Sequence, residues 1–229
     1  MAPHFDDPDF ALVPDRTAFY FVRHGESEAN RDGVIQGRLD ASLSDVGRSH
    51  AESAAKWFAD KGVDLVLSSP LRRAMETARP IGAVADGGEV VALQELVELD
   101  TGVFSGKKLS EIEEENPAEW LRFQRYSWES VPEAERIASL QNRARRVWRR
   151  LVNESVKGRR TIVSVTHGGM IQWLIRGSFG RHAHAWMPIF TAKNCGIFRL
   201  VVIPAPARDS LPASFFAEWQ LMNLLPYDS

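Results

Sequence analysis

Long apolar runs are missing from this chain. No stretch of its 229 residues approaches the ~20 consecutive apolar residues that a membrane-spanning helix needs, so a membrane is not an expected partner. Cysteine is almost absent. The single residue, Cys195, rules out an intrachain disulfide and fits a reducing compartment, so the cytoplasm is the expected location. A strong charge of either sign is absent too. With 28 Lys and Arg against 30 Asp and Glu, the net charge is −2. A general binder of nucleic acid would be strongly basic, so nucleic acid is not an expected partner, although a local basic pocket remains open. Residues 1–16 are rich in Asp and Pro and carry no long apolar run. They read as a flexible lead-in, neither a signal peptide nor a span.

What is present is ordinary for a globular protein: 44% hydrophobic and 25% charged residues. The length suits one domain, 1–229, with room for an insertion, and its core needs no disulfide or metal staple. Thr17 to Val22 is aromatic and β-branched and reads as a buried strand. Ser44 is placed to cap a helix carrying Ala51, Ala54, Ala55 and Phe58. "VDLVLSS" (63–69) is a second strand, and Pro70 is placed to open the next helix. "EVVALQELVEL" (89–99) begins as a third strand, and "TIVSVTH" (161–167) is a fourth, followed by a helix through Gly177. Two late strands, "CGIFRLVVI" and "SFFAEWQLM", are expected near a sheet edge, and the apolar edge could pair two chains into a homodimer. Residues 107–133 form a helical insert broken at Pro117. Glu133 to Ser155 reads as a long amphipathic helix, with Arg143, Arg145, Arg146, Arg149 and Arg150 on its solvated face. Strands alternating with helices predict an α/β fold: a three-layer sandwich whose mostly parallel central sheet is flanked by helices.

Ligands of such sheets sit outside the carboxyl ends of the strands. Several polar residues fall there: Arg23 and His24 after the first strand, Arg73 after the second, Glu98 after the third and His167 after the fourth. Arginine presents a permanently charged fork suited to phosphate oxygens. Histidine, with an ordinary pKa of ~6.5, is largely neutral at pH 7 and can attack phosphorus. A carboxyl group can protonate the leaving oxygen. The set fits a phosphoryl group far better than a neutral substrate, and it predicts no metal or other cofactor.

"RHGESEAN", "SSPLRRAMETA", "ELDTGVFSG" and "VTHGGMI" together resemble the histidine phosphatase superfamily, which includes cofactor-dependent phosphoglycerate mutase. The likeness covers roughly residues 19–179, with the motifs in order. It implies that His24 is the phosphorylated nucleophile, Arg23 and Arg73 the phosphate ligands, Glu98 the proton donor and His167 the second pocket histidine. Asn30, Gly37 and the backbone at Gly168 would add lesser contacts, and Gly25 would let the chain turn sharply beside the ligand. The resemblance further implies a phosphatase acting on a small phosphorylated metabolite. The mutases carry Arg-His-Tyr where this chain has Leu99-Asp100-Thr101, and their insert is longer. A mutase, and a sugar bisphosphatase binding a second phosphate through Lys107, Lys108, Arg122 or Arg125, are the alternatives within the same chemistry. A non-catalytic phosphate-binding module is the alternative outside it.

Other motifs carry less. His182 and His184 lack a third ligand at useful spacing and read as surface. "GVFSGKK" (102–108) is too short for a phosphate-binding loop. Arg72 should face away from Arg73, because adjacent helix positions do not share a face. Cys195 is expected to be a small core residue in a strand.

Overall fold

The computed structural model describes residues 8–179, 190–205 and 214–227. Six strands are described: β1 (Thr17–Arg23), β2 (Leu65–Ser68), β3 (Val90–Ala92), β4 (Thr161–Thr166), β5 (Ile197–Ala205) and β6 (Ser214–Leu224). They form one sheet in the order β3-β2-β4-β1-β5-β6. The first four are parallel, and β5 and β6 are added antiparallel, with β6 on the edge.

The alternation within β1 explains the layers. Phe19 and Phe21 enter one apolar cluster with Trp148, Leu140 and Met170. Ala18, Tyr20 and Val22 enter the other with Phe58, Ala74 and Ile81. A strand buried on both faces needs helices on both faces. Here α2 (Asp45–Phe58) and α3 (Arg72–Ala83) cover one side, and α6 (Ile137–Val156) and α7 (Gly168–Ser178) the other. The mostly parallel three-layer α/β architecture is the one expected.

Helix starts differ in detail. Ser44 caps α2 as expected, its hydroxyl accepting from the Gly47 N–H at 3.0 Å. Pro70 does not open α3: Leu71 is the N-cap and Arg72 the first helical residue. The Ser69 hydroxyl accepts from Leu71 N–H at 3.3 Å and Asp40 from Arg72 N–H at 2.6 Å, so side chains fix the turn ahead of the helix. The long helix begins at Ile137 rather than Glu133. Glu133 stands in the left-handed region (φ 63°), and the Glu129 carboxylate accepts from Ile137 N–H at 2.8 Å. Within the insert, α4 (Leu109–Glu115) and α5 (Pro117–Tyr126) meet at Pro117, which sits in the first turn of α5. The insert has its own small cluster of Phe104, Ile112, Val131 and Ala134, with Trp128 packed against it.

Two expectations are corrected. The lead-in is not free up to residue 16: Phe10 and Val13 are buried, and the Phe10 ring meets Trp148 edge-on at 5.2 Å. An aromatic anchor of this size holds its segment on the core. Cys195 is buried but lies ahead of β5, with φ at 54°, and its N–H donates to the Arg23 carbonyl at 3.0 Å. Burial pushes its thiol up to about 12, which makes it inert rather than reactive. His182 and His184 lie outside the described residues. Among the described residues no helix is long and apolar enough to cross a membrane.

Candidate active site

His24 leaves the end of β1 almost fully buried. Its Nδ1 is 2.7 Å from the Gly25 carbonyl, which can only accept, so we assign the proton to Nδ1. Nε2 then carries the lone pair, and it accepts from Arg73 Nε at 3.2 Å. Burial, and then Arg73 and Arg23, hold the His24 pKa well below 6.5. The imidazole is therefore neutral at pH 7. Gly25 is needed for a reason other than the expected one. A Cβ there would lie 2.6 Å from the Gly47 carbonyl of α2, so it permits close packing of the turn on that helix.

Two guanidinium groups and a second histidine surround this ring. Arg73 is 1% exposed and donates to the carbonyls of Gly37 (2.8 Å) and Leu39 (2.6 Å). Burial pushes its pKa down to about 10, which leaves it charged at pH 7. Arg23 donates through Nη1 to the Ala192 carbonyl, while its buried Nε has no hydrogen-bond partner among the described residues. Burial lowers its pKa. His167 lies with its ring centroid 5.0 Å from that of His24. Its Nε2 is 2.8 Å from the Ser69 hydroxyl, and we assign that hydroxyl as the donor to the ring. That leaves a proton on Nδ1, which is buried with no hydrogen-bond partner among the described residues. Burial, then His24 and the arginines, hold His167 well below 6.5.

Glu98 closes the site from the loop after β3. Its Oε1 accepts from Leu99 N–H at 2.8 Å and its Oε2 from Gly169 N–H at 3.1 Å, at the start of α7. A Cβ on Gly169 would lie 2.5 Å from Glu98 Oε1, so only glycine admits the carboxylate there. Glu95 turns elsewhere, 3.5 Å from Arg146. Arg72 is exposed and pairs with Glu76 at 2.7 Å, as expected of a surface residue.

Arg143 corrects the reading of the Arg-rich face. It is 5% exposed and pairs with Glu135 at 2.7 Å. It also donates to the carbonyls of Glu95 (3.1 Å), Val97 and Glu98 (3.4 Å). Arg38 joins the cluster through Glu135 at 3.1 Å. Together they shape the turn that delivers Glu98. The signal was in the spacing: Arg143 stands three residues after Leu140 and four before Val147, on the apolar stripe. Ala192 and Asn194, whose amide donates to the His24 carbonyl at 3.0 Å, were unforeseen, whereas Ser69 is one of the polar residues expected at the end of the second strand.

A cavity of about 330 Å³ opens at these groups, and Arg23, His24, Asn30, Gly37, Arg73 and Glu98 are among its lining residues. Gly168 lines it as well, whereas His167 is not among its lining residues. The Asn30 amide oxygen accepts from Ser27 and Asn194, so only its amide nitrogen can serve a ligand. Lys107, Lys108, Arg122 and Arg125 do not line the cavity, so the second phosphate site of the bisphosphatase alternative is not formed by them there.

The two depressed histidines make stability depend on pH. Below about pH 6.5 the unfolded chain binds protons that the folded chain does not, so stability is full above that pH and lost below it. Each histidine held neutral contributes a slope of up to about 1.4 kcal/mol per pH unit. Denaturant titrations between pH 7.5 and 5 should show this decline, and a His24→Asn/His167→Asn double variant should flatten it. An unchanged slope in the variant would show that these rings do not titrate as described.

A neutral imidazole beside two buried guanidiniums, at the carboxyl ends of parallel strands, defines a class of anion-handling α/β sites. The profile of the histidine phosphatase superfamily (branch 1) matches residues 19–205, and the chain belongs to that superfamily. It is 35% identical over 130 residues to phosphoserine phosphatase 1 of Hydrogenobacter thermophilus, covering 54% of this chain and 59% of that one. The chain thus spans less than two thirds of that relative. It is 33% identical over 172 residues to phosphoglycerate mutase-like protein 4 of Arabidopsis thaliana, covering 74% of this chain and 71% of the relative. Among solved structures, mycobacterial hydrolase 1 superposes with a TM-score of 0.76 at 26% identity, covering 92% of this chain and all (100%) of that one.

Proposed function

We propose that the protein is a metal-independent phosphatase that hydrolyses a phosphate monoester of a small metabolite through a phosphohistidine at His24. The observation that carries this reading is the neutral His24 ring, with its Nε2 lone pair held toward Arg73. An incoming phosphoryl group takes the place of that hydrogen bond. Nε2 attacks phosphorus, the bond to the leaving oxygen breaks, and the Glu98 carboxyl gives that oxygen its proton. Water then attacks the phosphohistidine, Glu98 takes the water's proton, and inorganic phosphate leaves. Arg23 Nε, Arg73 and His167 Nδ1 are donors for the charge that builds on the transferring group. They supply the positive field that a metal supplies in other phosphoryl-transfer sites.

Hydrolysis is favoured over mutase action by the segment after Glu98. Leu99 is buried, Asp100 accepts from Gly102 N–H at 3.0 Å, and Thr101 bonds Ser105 at 2.7 Å. None of the three adds a cation to hold a second phosphate. The test is turnover in EDTA: release of phosphate from p-nitrophenyl phosphate supports the reading, and interconversion of 3- and 2-phosphoglycerate without release overturns it.

Glu98→Gln separates the proton donor from the rest of the site. An alkyl phosphate, with a poor leaving group, should lose on the order of 10²–10⁴ in kcat, while p-nitrophenyl phosphate, whose leaving group needs no proton, should lose far less. Equal losses on both substrates would remove Glu98 from that role.

A further inference from the structure

The lining of the cavity is of two unlike kinds. Besides the charged groups described above, an apolar wall of Val34, Ile35, Trp128, Ile137, Leu140 and Trp173 lines it. These come from separate parts of the fold: the loop after α1 (Glu28–Arg31), the insert, the start of α6 and the middle of α7. Several polar groups that also line the cavity already hold bonds within the protein. The Gln36 amide oxygen accepts from Ser27 at 2.8 Å, and the Gln172 amide donates to the Phe190 carbonyl. Thr101 bonds Ser105, and the Glu129 carboxylate accepts from Ile137 N–H at 2.8 Å. Arg176 stacks its guanidinium over the Trp173 ring at 4.9 Å. A substrate body rich in hydroxyls or amines would lose its water and break these bonds to gain new ones, an exchange with little net benefit. An apolar body loses nothing by leaving water and fills the wall.

On the strength of the phosphatase reading above, we infer that the preferred substrate is a phosphate monoester whose leaving alcohol carries an apolar alkyl or aryl body, not a sugar or an amino acid. The volume of about 330 Å³ is at the small end for ligand pockets, so this body is compact.

The test is a homologous series of ethyl, butyl and hexyl phosphate, whose leaving groups are of nearly equal acidity. Differences in kcat/KM then report binding of the body and not chemistry. Each methylene that the wall buries should raise kcat/KM by about fourfold. Trp128→Ala should flatten that series. Ile137→Ser, at the half-buried start of α6, should do the same and serves if the Trp128 variant does not fold. Phosphoserine and glucose 6-phosphate should be turned over more slowly than hexyl phosphate. A flat series in the wild type, or faster turnover of either polar phosphate, overturns the inference while leaving the phosphatase reading intact. No phosphate release from any substrate, p-nitrophenyl phosphate included, overturns the phosphatase reading and the inference with it.

Discussion

His24→Ala is expected to abolish phosphate release. In the proposed reaction the variant removes the lone pair that bonds phosphorus, so kcat should fall between about 10³- and 10⁶-fold, the range seen when a covalent nucleophile is deleted. Rapid quench of the wild type with ³²P-labelled substrate should trap an acid-labile, base-stable label on the protein, and the variant should carry none. The fold should survive, because the ring contributes one backbone contact and the acceptor for Arg73, while the strand beneath it is held by β4 and β5 on either side. Turnover at wild-type rates in the variant would move the nucleophile elsewhere. A wild type as silent as the variant would bring back a non-catalytic phosphate-binding module.

Arg73→Met should produce the second-largest loss. Arg73 performs three tasks with one planar group: it bonds His24, carries charge to the phosphate end of the cavity, and ties the carbonyls of Gly37 and Leu39. Losing a preorganised donor of this kind lowers catalysis by about 10²–10³-fold. Phosphate should also weaken as a competitive inhibitor. Arg73→Lys keeps the charge without the fork, so it cannot reach both carbonyls and the imidazole together, and its kcat/KM should fall between the two. If Lys and Met behave alike, geometry and not charge is what the site requires of this residue. If Met retains wild-type kcat/KM, Arg73 has no part in phosphoryl transfer.

The strands and the residues at their ends were legible because both follow from local pattern. β1, β2 and β4 are short apolar runs, and a buried parallel strand has no other way to read. His24, Arg73, Glu98 and Gly168 fall at the ends of such runs or on the turns that follow, so the topology brings them to one rim. Helix starts were less legible. Pro70 and Glu133 carry the local signals of a helix beginning, but side chains from elsewhere fix Leu71 as the cap and delay the long helix to Ile137. The supporting residues were hidden for a related reason. Arg143 meets the carbonyl of Val97, 46 positions away, and His167 meets Ser69, 98 positions away. Nothing in a local window encodes such a pairing. Arg143 alone left a trace, a charge on an apolar stripe. The Arg-rich run around it concealed that trace, because four of its five members do lie at or near the surface.

The insert and its flanks form a small cluster around Phe104, Ile112, Val131 and Ala134, while Arg23 and His24 stand at the end of β1 and Arg73 and Glu98 beyond the ends of β2 and β3. Mutational drift can therefore act on the two halves of the cavity separately. Replacing Trp128 or Ile137 reshapes what the pocket admits and leaves His24 and its arginines in place. A lineage built this way can trade one phosphorylated compound for another in single steps, keeping the same reaction throughout. The same separation marks the insert and the helix faces beside it, not the sheet, as the place to begin in redesigning selectivity.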